Sequence, residues 1–404
     1  MWLEPSFHGL QWPYMTKTGV GISGNLWVDS GYMQVNREDP SLTNLTTYLQ
    51  QGRGVLRVTP TYTDGRFFIQ GQVELVGNMC QSSTAVCITR NTVDTDDLWI
   101  RFGQWNAWDF KVGRFEGWEL YHTGMGLDMY TLERLGAHNL GLAAPPPADL
   151  QAPLLYAANW LHDRPTAGLG VGYLAFHAYP ANNLRFEVLG ELGVDDITSP
   201  DTNGGAGQSQ GYTYLGARPA FILDQGWMKV KVGGEYELKA ANTQYLDTST
   251  NTKQDSKASR TRKGVGGSVQ FVIDPRAEFG GNFALGWEDN HEDVVSGDQV
   301  EKDSFSRNSV GAFGNLRLGS SWLLGAGINF TWQNNKFYNA ADSPSPDYTA
   351  HMQGFGAIQY LLAGQLYIRA VIGYARADFV ASDQAIDVWS NYMYSGRLRM
   401  MYLF

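Results

Sequence analysis

Long stretches of the chain alternate residue by residue between apolar and polar side chains. Between Ser321 and Gln333, one face carries Trp322, Leu324, Ala326, Ile328, Phe330 and Trp332. A period of two over this length predicts a β-strand with one apolar face. Such a strand is longer than the roughly 5–6 residues that are usual in globular proteins. It reaches the roughly 9–11 residues that a tilted strand needs to cross a bilayer.

The same alternation recurs along the chain and predicts 16 strands. They span approximately residues 18–30, 53–62, 66–77, 95–105, 108–115, 167–178, 182–193, 210–223, 226–240, 262–273, 276–288, 305–318, 321–333, 349–361, 365–377 and 389–404. A further strand at 154–162, paired with one near 118–135, would raise the number to 18, and the pattern leaves this alternative open. An even number is expected for a barrel whose strands run up and down.

The connections between the predicted strands are alternately short and long. The short ones, as at 63–65 and 224–226, contain the Gly and Asp residues that supply turn dihedrals. The long polar ones lie near 33–52, 79–93, 194–209, 241–261, 289–304, 335–348 and 378–388. This alternation of short and long connections is typical of membrane barrels with short periplasmic turns and long extracellular loops. The sequence therefore predicts an all-β fold, one antiparallel up-and-down transmembrane β-barrel domain over residues 1–404.

Residues 116–166 form the longest predicted connection. They are rich in Trp, Tyr, Met and Leu, which a solvated loop would not be. A loop of this length within one domain usually has a function. We therefore expect it to fold inward against the barrel wall and to act as a constriction loop.

Composition and charge are consistent with a membrane barrel. Only 17% of the 404 residues are charged, against about 25% in typical soluble domains. No apolar run reaches the roughly 18 residues of a membrane-spanning helix. The net charge is −10 and no basic run occurs, so we do not expect nucleic acid as a partner.

The two cysteines, Cys80 and Cys87, lie on a polar connection with six residues between them. An even number on one exposed hairpin favours a disulfide and an oxidising compartment, with two free thiols as the alternative. Two cysteines without a nearby histidine give too few ligands for a metal site. The seven histidines are scattered, and no Gly-x-Ser-x-Gly or His-Glu-x-x-His motif occurs. We predict no enzymatic activity, no metal and no cofactor.

The end of the chain carries the most specific signal. Apolar residues alternate up to an aromatic terminus, at Leu398, Met400, Tyr402 and Phe404. This resembles the C-terminal signal that the barrel-assembly machinery reads in Gram-negative outer-membrane proteins. The whole chain is similar in architecture to the outer-membrane porin class. The resemblance implies an integral protein of the bacterial outer membrane, in contact with its lipids, and a homotrimer as the favoured assembly, with a monomer next.

A second local resemblance lies at residues 110–116, where Gly113 and Arg114 end the fifth predicted strand. In general porins such a strand leads into the third extracellular loop, which folds into the lumen and narrows it. The loop here is longer than is usual for that class, and no other porin motif is strict. The resemblance therefore assigns neither a subfamily nor a solute.

Strand parity predicts which charged residues line the pore, because a charge facing lipid at mid-membrane costs about 2–4 kcal/mol. The basic candidates that parity gives are Arg57, Arg101, Arg185, Arg218, Lys229, Lys231, Arg317, Arg369, Arg397 and Arg399, and the porin-like end of the fifth strand adds Arg114 to the predicted pore lining and constriction. The acidic candidates from the long loop are Glu116, Glu119, Asp128 and Glu133. Basic wall and acidic loop would create a transverse field across the constriction. Acidic residues on the strands offset the basic ones, so the sign of ion selectivity stays open.

These patterns predict a passive diffusion channel for small hydrophilic solutes and ions across the outer membrane. A substrate-specific sugar or anion channel is one alternative, since aromatic residues also show lumen parity and aromatic rings stack on the apolar faces of sugars. A closed structural or surface-binding barrel, plugged by its long loop, is another. Conductance in planar bilayers separates the channel hypotheses from the closed barrel.

Overall fold

The computed structural model describes the strands, the turns between them and the first residues of the long connection. The described residues are 18–38, 44–82, 92–118, 120, 171–199, 208–247, 252–274, 276–294, 299–338, 348–380 and 388–404. Among these residues, no helix is long and apolar enough to span a membrane.

Sixteen strands form one closed sheet. They are β1 (Thr18–Arg37), β2 (Leu45–Asp64), β3 (Phe67–Ser82), β4 (Thr92–Gln104), β5 (Trp108–Arg114), β6 (Val171–Ala181), β7 (Leu184–Ser199), β8 (Gln208–Asp224), β9 (Met228–Asp247), β10 (Thr252–Asp274), β11 (Ala277–Val294), β12 (Gln299–Leu318), β13 (Trp322–Tyr338), β14 (Tyr348–Ala363), β15 (Leu366–Val380) and β16 (Val388–Leu403). Each strand corresponds to one predicted strand. The prediction of 16 strands is confirmed, and the structure does not support the alternative of 18 over the residues it describes.

Each strand pairs antiparallel with its neighbours in the sequence, and β1 closes the barrel by pairing with β16. The last residue takes part in this closure. Gly24 N donates to Phe404 O at 2.8 Å, and Phe404 N donates to Gly24 O at 3.0 Å. A closed sheet leaves no strand edge unpaired, which a structure in lipid requires because the hydrocarbon offers no hydrogen-bond partner.

The two faces of the sheet differ as the alternation predicts. On β13, Trp322, Ile328 and Phe330 are exposed on the outer surface, whereas Asn329 and Thr331 point inward and are buried. The other strands follow the same rule, with apolar side chains outside and most polar or charged ones inside. The result is an apolar outer wall around a polar lumen.

One end of the barrel, here called the turn end, carries the tight turns. Glycines with positive φ make several of these turns, for example Gly65 at 60° and Gly226 at 83°. The opposite end, the loop end, carries the longer connections. In outer-membrane barrels the short turns face the periplasm, so the turn end is assigned to that side.

The strands extend further toward the loop end than the sequence predicts. The connection predicted near 241–261 is largely strand, because β9 ends at Asp247 and β10 begins at Thr252. The apolar alternation stops where the lipid stops, but the ladder of backbone hydrogen bonds continues into polar sequence. Hydrophobic patterning therefore marks the membrane-facing part of each strand and not its full length.

Candidate functional site

The chain leaves the barrel wall directly after β5 and turns into the lumen. Phe115 is fully buried, with 0% of its surface exposed. Its ring packs edge-on against Tyr173 of β6, with ring centroids 5.7 Å apart. Tyr173 points into the barrel, since its neighbour Leu174 is exposed outside. The first residue after β5 is thus held against the inner wall.

Trp118 fixes the next part of this inward segment. Its indole ring stacks on the imidazole of His177, with centroids 4.9 Å apart and planes at 10°. Its backbone N donates to Glu187 Oε1 at 2.9 Å, and its carbonyl accepts from Arg218. His177 pairs across strands with Asp109, at the start of β5. The segment has therefore turned back from the end of β5 toward the turn end.

Gly117 is required by the closeness of this contact. A Cβ atom at this position would lie 2.6 Å from Arg218 Nη1 and 3.1 Å from a methyl group of Leu189. Neither neighbour is free to move, because Arg218 and Leu189 are both fully buried. Only a residue without a side chain allows the backbone to approach the wall this closely.

Leu120 carries the segment on to the next strands. Its carbonyl accepts a hydrogen bond from Ser268 Oγ of β10 at 2.8 Å. Its side chain lies over Gly233 of β9, where a Cβ atom would be only 2.7 Å from a Leu120 methyl group. Residues 115–118 and 120 therefore lie along the inner wall from β6 to β10.

The wall beneath Trp118 contains a buried charged cluster, here called the anchor network. It consists of Arg101, Asp109, His177, Glu187 and Arg218. Arg101 Nη2 donates to Asp109 Oδ2 at 2.6 Å. His177 contacts Asp109 Oδ1 through Nδ1 at 2.6 Å and Glu187 Oε2 through Nε2 at 2.9 Å. Arg218 Nη1 donates to Glu187 Oε1 at 3.0 Å.

The anchor network satisfies its charges internally. The Asp109, Glu187 and Arg218 side chains are at most 1% exposed. Groups buried to this degree are stable only when each charge has an opposite partner and hydrogen bonds. A ring protonated on both nitrogens lets His177 donate to both carboxylates. The network links β4, β5, β6, β7 and β8 and gives Trp118 a rigid base.

The same arc of the wall carries a second, more apolar contact. Lys111 Nζ lies 4.4 Å from the ring centre of Trp99 and 4.1 Å from that of Phe115. A cation held over aromatic faces is attracted by their quadrupoles. Lys111 thereby joins the wall to the first residue of the inward segment.

No protein-family model and no curated protein matches the sequence. Solved structures do match the fold. The outer-membrane channel DcaP of Acinetobacter baumannii superposes with a TM-score of 0.52, at 12% identity over 97% of this chain and 99% of that one. The anion-selective porin of Comamonas acidovorans superposes with a TM-score of 0.50, at 13% identity over 96% of this chain and all of that one.

The chain has the fold of the outer-membrane porins. Identities of 12–13% establish the fold alone. The closed barrel of 16 antiparallel strands, apolar outside and polar inside, is that of an integral outer-membrane protein. The subfamily is not assigned.

Most of the predicted basic pore residues lie at inward positions of the barrel. These are Arg57, Arg101, Arg185, Arg218, Lys229, Lys231, Arg317, Arg369, Arg397 and Arg399. Most have contacts within the wall: Arg57 pairs with Glu74, Lys229 lies 3.4 Å from Asp224, and Arg369 donates to Gln359 at 2.8 Å.

Two of these arginines share one carboxylate near the barrel closure. Arg399 donates to both oxygens of Asp29, at 2.7 and 2.8 Å. Arg397 Nη1 lies 3.6 Å from the same carboxylate. Arg399 also lies over the Trp27 ring, 4.2 Å from its centre. Arg317, in contrast, donates to the carbonyls of Gly319 and Ser320 and so stabilises a tight turn.

One predicted residue, Arg114, is not directed into the lumen, and several others lie outside the described residues. Arg114 pairs across strands with outward-facing Leu98 and is exposed, so it lies on the outer side of the barrel wall. The prediction missed this because β5 ends there and the chain turns inward one residue later. Glu116 is exposed. Glu119, Asp128, Glu133, Cys87 and the side chain of Cys80 lie outside the described residues.

The residues predicted to form the assembly signal all face outward. Leu398, Met400, Tyr402 and Phe404 expose between 45% and 53% of their surfaces. Tyr402 and Phe404 stack, with ring centroids 6.0 Å apart. Their role as a signal stays a prediction.

Sequence reasoning missed the centre of the anchor network. The predicted strand 108–115 includes Asp109 but gives it no role, His177 is one of seven scattered histidines, and Trp118 counts only among the apolar residues of the long loop. The available signal was parity, since Asp109 and His177 both occupy lumen positions in strands whose other face is apolar. Their contact depends on the pairing of β5 with β6. The two residues are 68 positions apart in the sequence, so no local pattern predicts that they meet.

Proposed function

We propose that this protein is a passive diffusion channel for small hydrophilic solutes across the outer membrane. The observation that supports it most is the inward segment, which lies along the lumen wall and is fixed there by Trp118 and Leu120. A segment held against the wall narrows a polar lumen without filling it. Barrels of about 16 strands are wide enough to leave an aqueous channel.

The proposed mechanism involves no chemical step. Solutes move down their gradient, the narrowed lumen sets the size limit, and the lining charges set the preference among ions. The charged side chains in the buried ion pairs of the wall, such as those of the anchor network, are held in place by one another. They therefore shape the potential in the lumen as fixed charges and dipoles.

Single-channel recording of the purified protein in planar bilayers tests the proposal. We expect steady open-channel steps, and asymmetric KCl then gives the ion preference from the sign of the reversal potential. A second form of the protein, with residues 121–166 replaced by a short Gly/Ser linker, should show a larger conductance. Absence of current from both forms, when both are folded and heat-modifiable, would refute a channel.

A closed barrel is the second candidate, and one observation favours it. Many inward side chains are buried, among them Arg218 at 0%, Glu187 at 1% and Arg397 at 3% exposure. If the lumen is plugged, the intact protein is silent and only the linker form conducts. An open channel would instead conduct in both forms, and a barrel without a pore would conduct in neither.

The assembly proposed here is a homotrimer, with the Gly- and Ala-rich outer face of residues 264–286, for example at Gly281, offering close approach between barrels. Mass measurement of the detergent-solubilised protein, corrected for bound detergent, distinguishes a trimer from a monomer. Mass spectrometry of an alkylated sample, before and after reduction, tests the Cys80–Cys87 disulfide in the same preparation.

A further inference from the structure

Among the described strands, β1 and β16 are the neighbours that are not consecutive in the chain. Consecutive strands are joined by a turn or a loop, and a turn fixes the register of the hairpin that it closes. No such connection links β1 with β16, which stand first and last in the strand order. Their register, in which Asp29 lies opposite Arg399, therefore depends on contacts between the two strands.

Only slips by an even number of residues compete with this register. A slip by one residue would turn the apolar face of β16 into the lumen, whereas a slip by two keeps every side chain on its face. If β16 moves by two residues toward the turn end, Arg397 comes to lie opposite Asp29. If it moves by two residues toward the loop end, Met401 does. These alternatives are here called the turn-end slip and the loop-end slip.

A buried carboxylate on β1 opposes the loop-end slip. Asp29 is 1% exposed and accepts hydrogen bonds from Arg399 Nε at 2.7 Å and Nη2 at 2.8 Å. A buried charge without an oppositely charged partner is strongly unfavourable, and the loop-end slip would place the thioether of Met401 opposite Asp29. The turn-end slip would still give Asp29 an arginine. Asp29 therefore discriminates against one slip and not against the other.

An aromatic ring on the outer face opposes both slips. The Phe404 ring lies over Gly24 of β1, where a Cβ atom would be 2.6 Å from Phe404 Cζ and 2.2 Å from the carbonyl oxygen of Val55. Only glycine leaves room for this contact. The turn-end slip would bring Phe404 opposite Ile22, and the loop-end slip would bring it opposite Leu26. Both are branched side chains that point outward and would meet the ring.

A third contact lies at the loop end of the same strand pair and is weaker. Glu38 accepts hydrogen bonds from Ser390 N at 3.1 Å and from Tyr392 Oη at 3.0 Å. Glu38 is exposed, so water replaces these hydrogen bonds at little cost. This contact therefore adds little to the choice of register.

We propose that Asp29 and the Phe404 ring form a register lock that selects one closure of the barrel. The two contacts lie on opposite faces of the sheet, Asp29 in the lumen and the ring on the outer wall. The ring opposes both slips, and Asp29 adds discrimination against the loop-end slip. Because the stagger of the strands and the diameter of a barrel are linked, the lock also sets the width of the lumen. The inference does not depend on the proposed channel function.

Disulfide trapping between β1 and β16 reads the register directly. Met33→Cys with Ser395→Cys joins positions that are directly paired in the structure. Gly31→Cys with Ser395→Cys reports the turn-end slip, and Val35→Cys with Ser395→Cys reports the loop-end slip. A disulfide needs Cα atoms about 4.4–6.8 Å apart, which direct pairs provide and which diagonal neighbours at about 7–8 Å do not.

The measurement uses the full chain, with Cys80 and Cys87 replaced by serine. Each variant is refolded in detergent, so that recognition by the assembly machinery does not affect the result. Heat-modifiability identifies the folded fraction, and the cross-link yield is determined within that fraction.

The two parts of the lock predict different patterns of cross-links. Phe404→Ala should raise the turn-end cross-link about tenfold, equivalent to about 1.4 kcal/mol. The loop-end cross-link should stay low in this variant, because Asp29 would face Met401. Adding Asp29→Asn to Phe404→Ala should raise both cross-links. Tyr394→Ala is the control, since this outward ring of β16 contacts Tyr374 of β15, with centroids 5.3 Å apart, and should leave the cross-links unchanged.

Each result decides one part of the lock. A folded Phe404→Ala protein that forms only the native cross-link would overturn the role of the ring. Equal rises of both slipped cross-links in Phe404→Ala would overturn the role of Asp29. The same rise in Tyr394→Ala as in Phe404→Ala would overturn the lock as a whole. Phe404→Leu, which removes the flat ring and keeps an apolar side chain, replaces Phe404→Ala if the latter does not fold.

Discussion

Two arcs of the same lumen wall use polar residues in opposite ways. The anchor network on β4–β8 consists of ionised side chains that are paired with one another and with the inward segment. A row of directly paired inward positions on β10–β14, here called the amide row, consists of the neutral residues Ser268, Asn282, Gly311, Asn329 and Gln353. Both arcs are buried to a similar degree. The wall therefore buries polar side chains both with charge and without it.

The difference lies in charge, since buried atoms without a hydrogen bond to any described residue occur in both arcs, at Arg101 Nε, Arg218 Nε and Gln353. In the anchor network each charge has an opposite charge within 3.0 Å, so the network fixes the segment. The amide row contains no charge to pair. The comparison predicts that mutations in the first arc reduce stability more than mutations in the second.

The largest effect is expected from breaking the anchor network. Glu187→Gln removes the partner of Arg218 and of His177, and an uncompensated buried charge costs about 3–5 kcal/mol. Denaturant unfolding from lipid vesicles measures this loss. Lys263→Gln is the matched control, because its pair with Asp289 is more than half exposed at 3.8 Å and should contribute about 0–1 kcal/mol. Equal losses in the two variants would contradict a buried anchor.

The second-largest effect is expected from adding a methyl group at Gly117, where the inward segment lies closest to the barrel wall. Gly117→Ala places a methyl group 2.6 Å from Arg218 Nη1 and should cost about 1–3 kcal/mol through overpacking. The displaced segment should also change the single-channel conductance. Gly172→Ala on β6 is the control, since nothing lies within 4 Å of its Cβ position. If both variants match the wild type in stability and in conductance, the close approach of Gly117 to Arg218 is contradicted.

A smaller effect is expected from the aromatic contact of the same segment. Trp118→Ala removes the stack on His177 but keeps both backbone hydrogen bonds, and an aromatic pair contributes about 0.5–1.5 kcal/mol beyond its buried area. We expect a modest loss of stability and a larger conductance with more current noise. Trp118→Phe retains a flat ring and should restore most of both. A conductance that falls in Trp118→Ala would contradict the expectation that the segment held by Trp118 narrows the lumen.

The smallest effect concerns charge alone. Arg369→Gln on β15 neutralises an inward arginine that donates to Gln359, and we expect little change in stability. The reversal potential in asymmetric KCl should shift toward cations, because one fixed positive charge leaves the lumen wall. Arg317→Gln, at a tight turn, should shift it less. A shift toward anions in Arg369→Gln would contradict the inward placement of Arg369.

The sequence predicted the architecture far better than the site. Residues 115–118 and 120 lie against the inner wall, as expected for the start of the long connection. Alternation predicted all 16 strands and placed the basic candidates chosen by parity on that wall. It did not find the contact between Trp118 and His177, nor the shared carboxylate Asp29, whose partner Arg399 is 370 residues away.

What the sequence by itself determined is the side of the sheet on which each residue lies. This follows from a local rule, since successive side chains of a strand point to opposite faces whatever the strand pairs with. The closed barrel then follows from one apolar face and the need to pair every backbone group in lipid. Only the tertiary structure decided which inward residues meet, because register and the path of residues 115–120 depend on neighbours that are distant in the chain. The anchor network and the amide row are both products of register, and neither has a signature in any single strand.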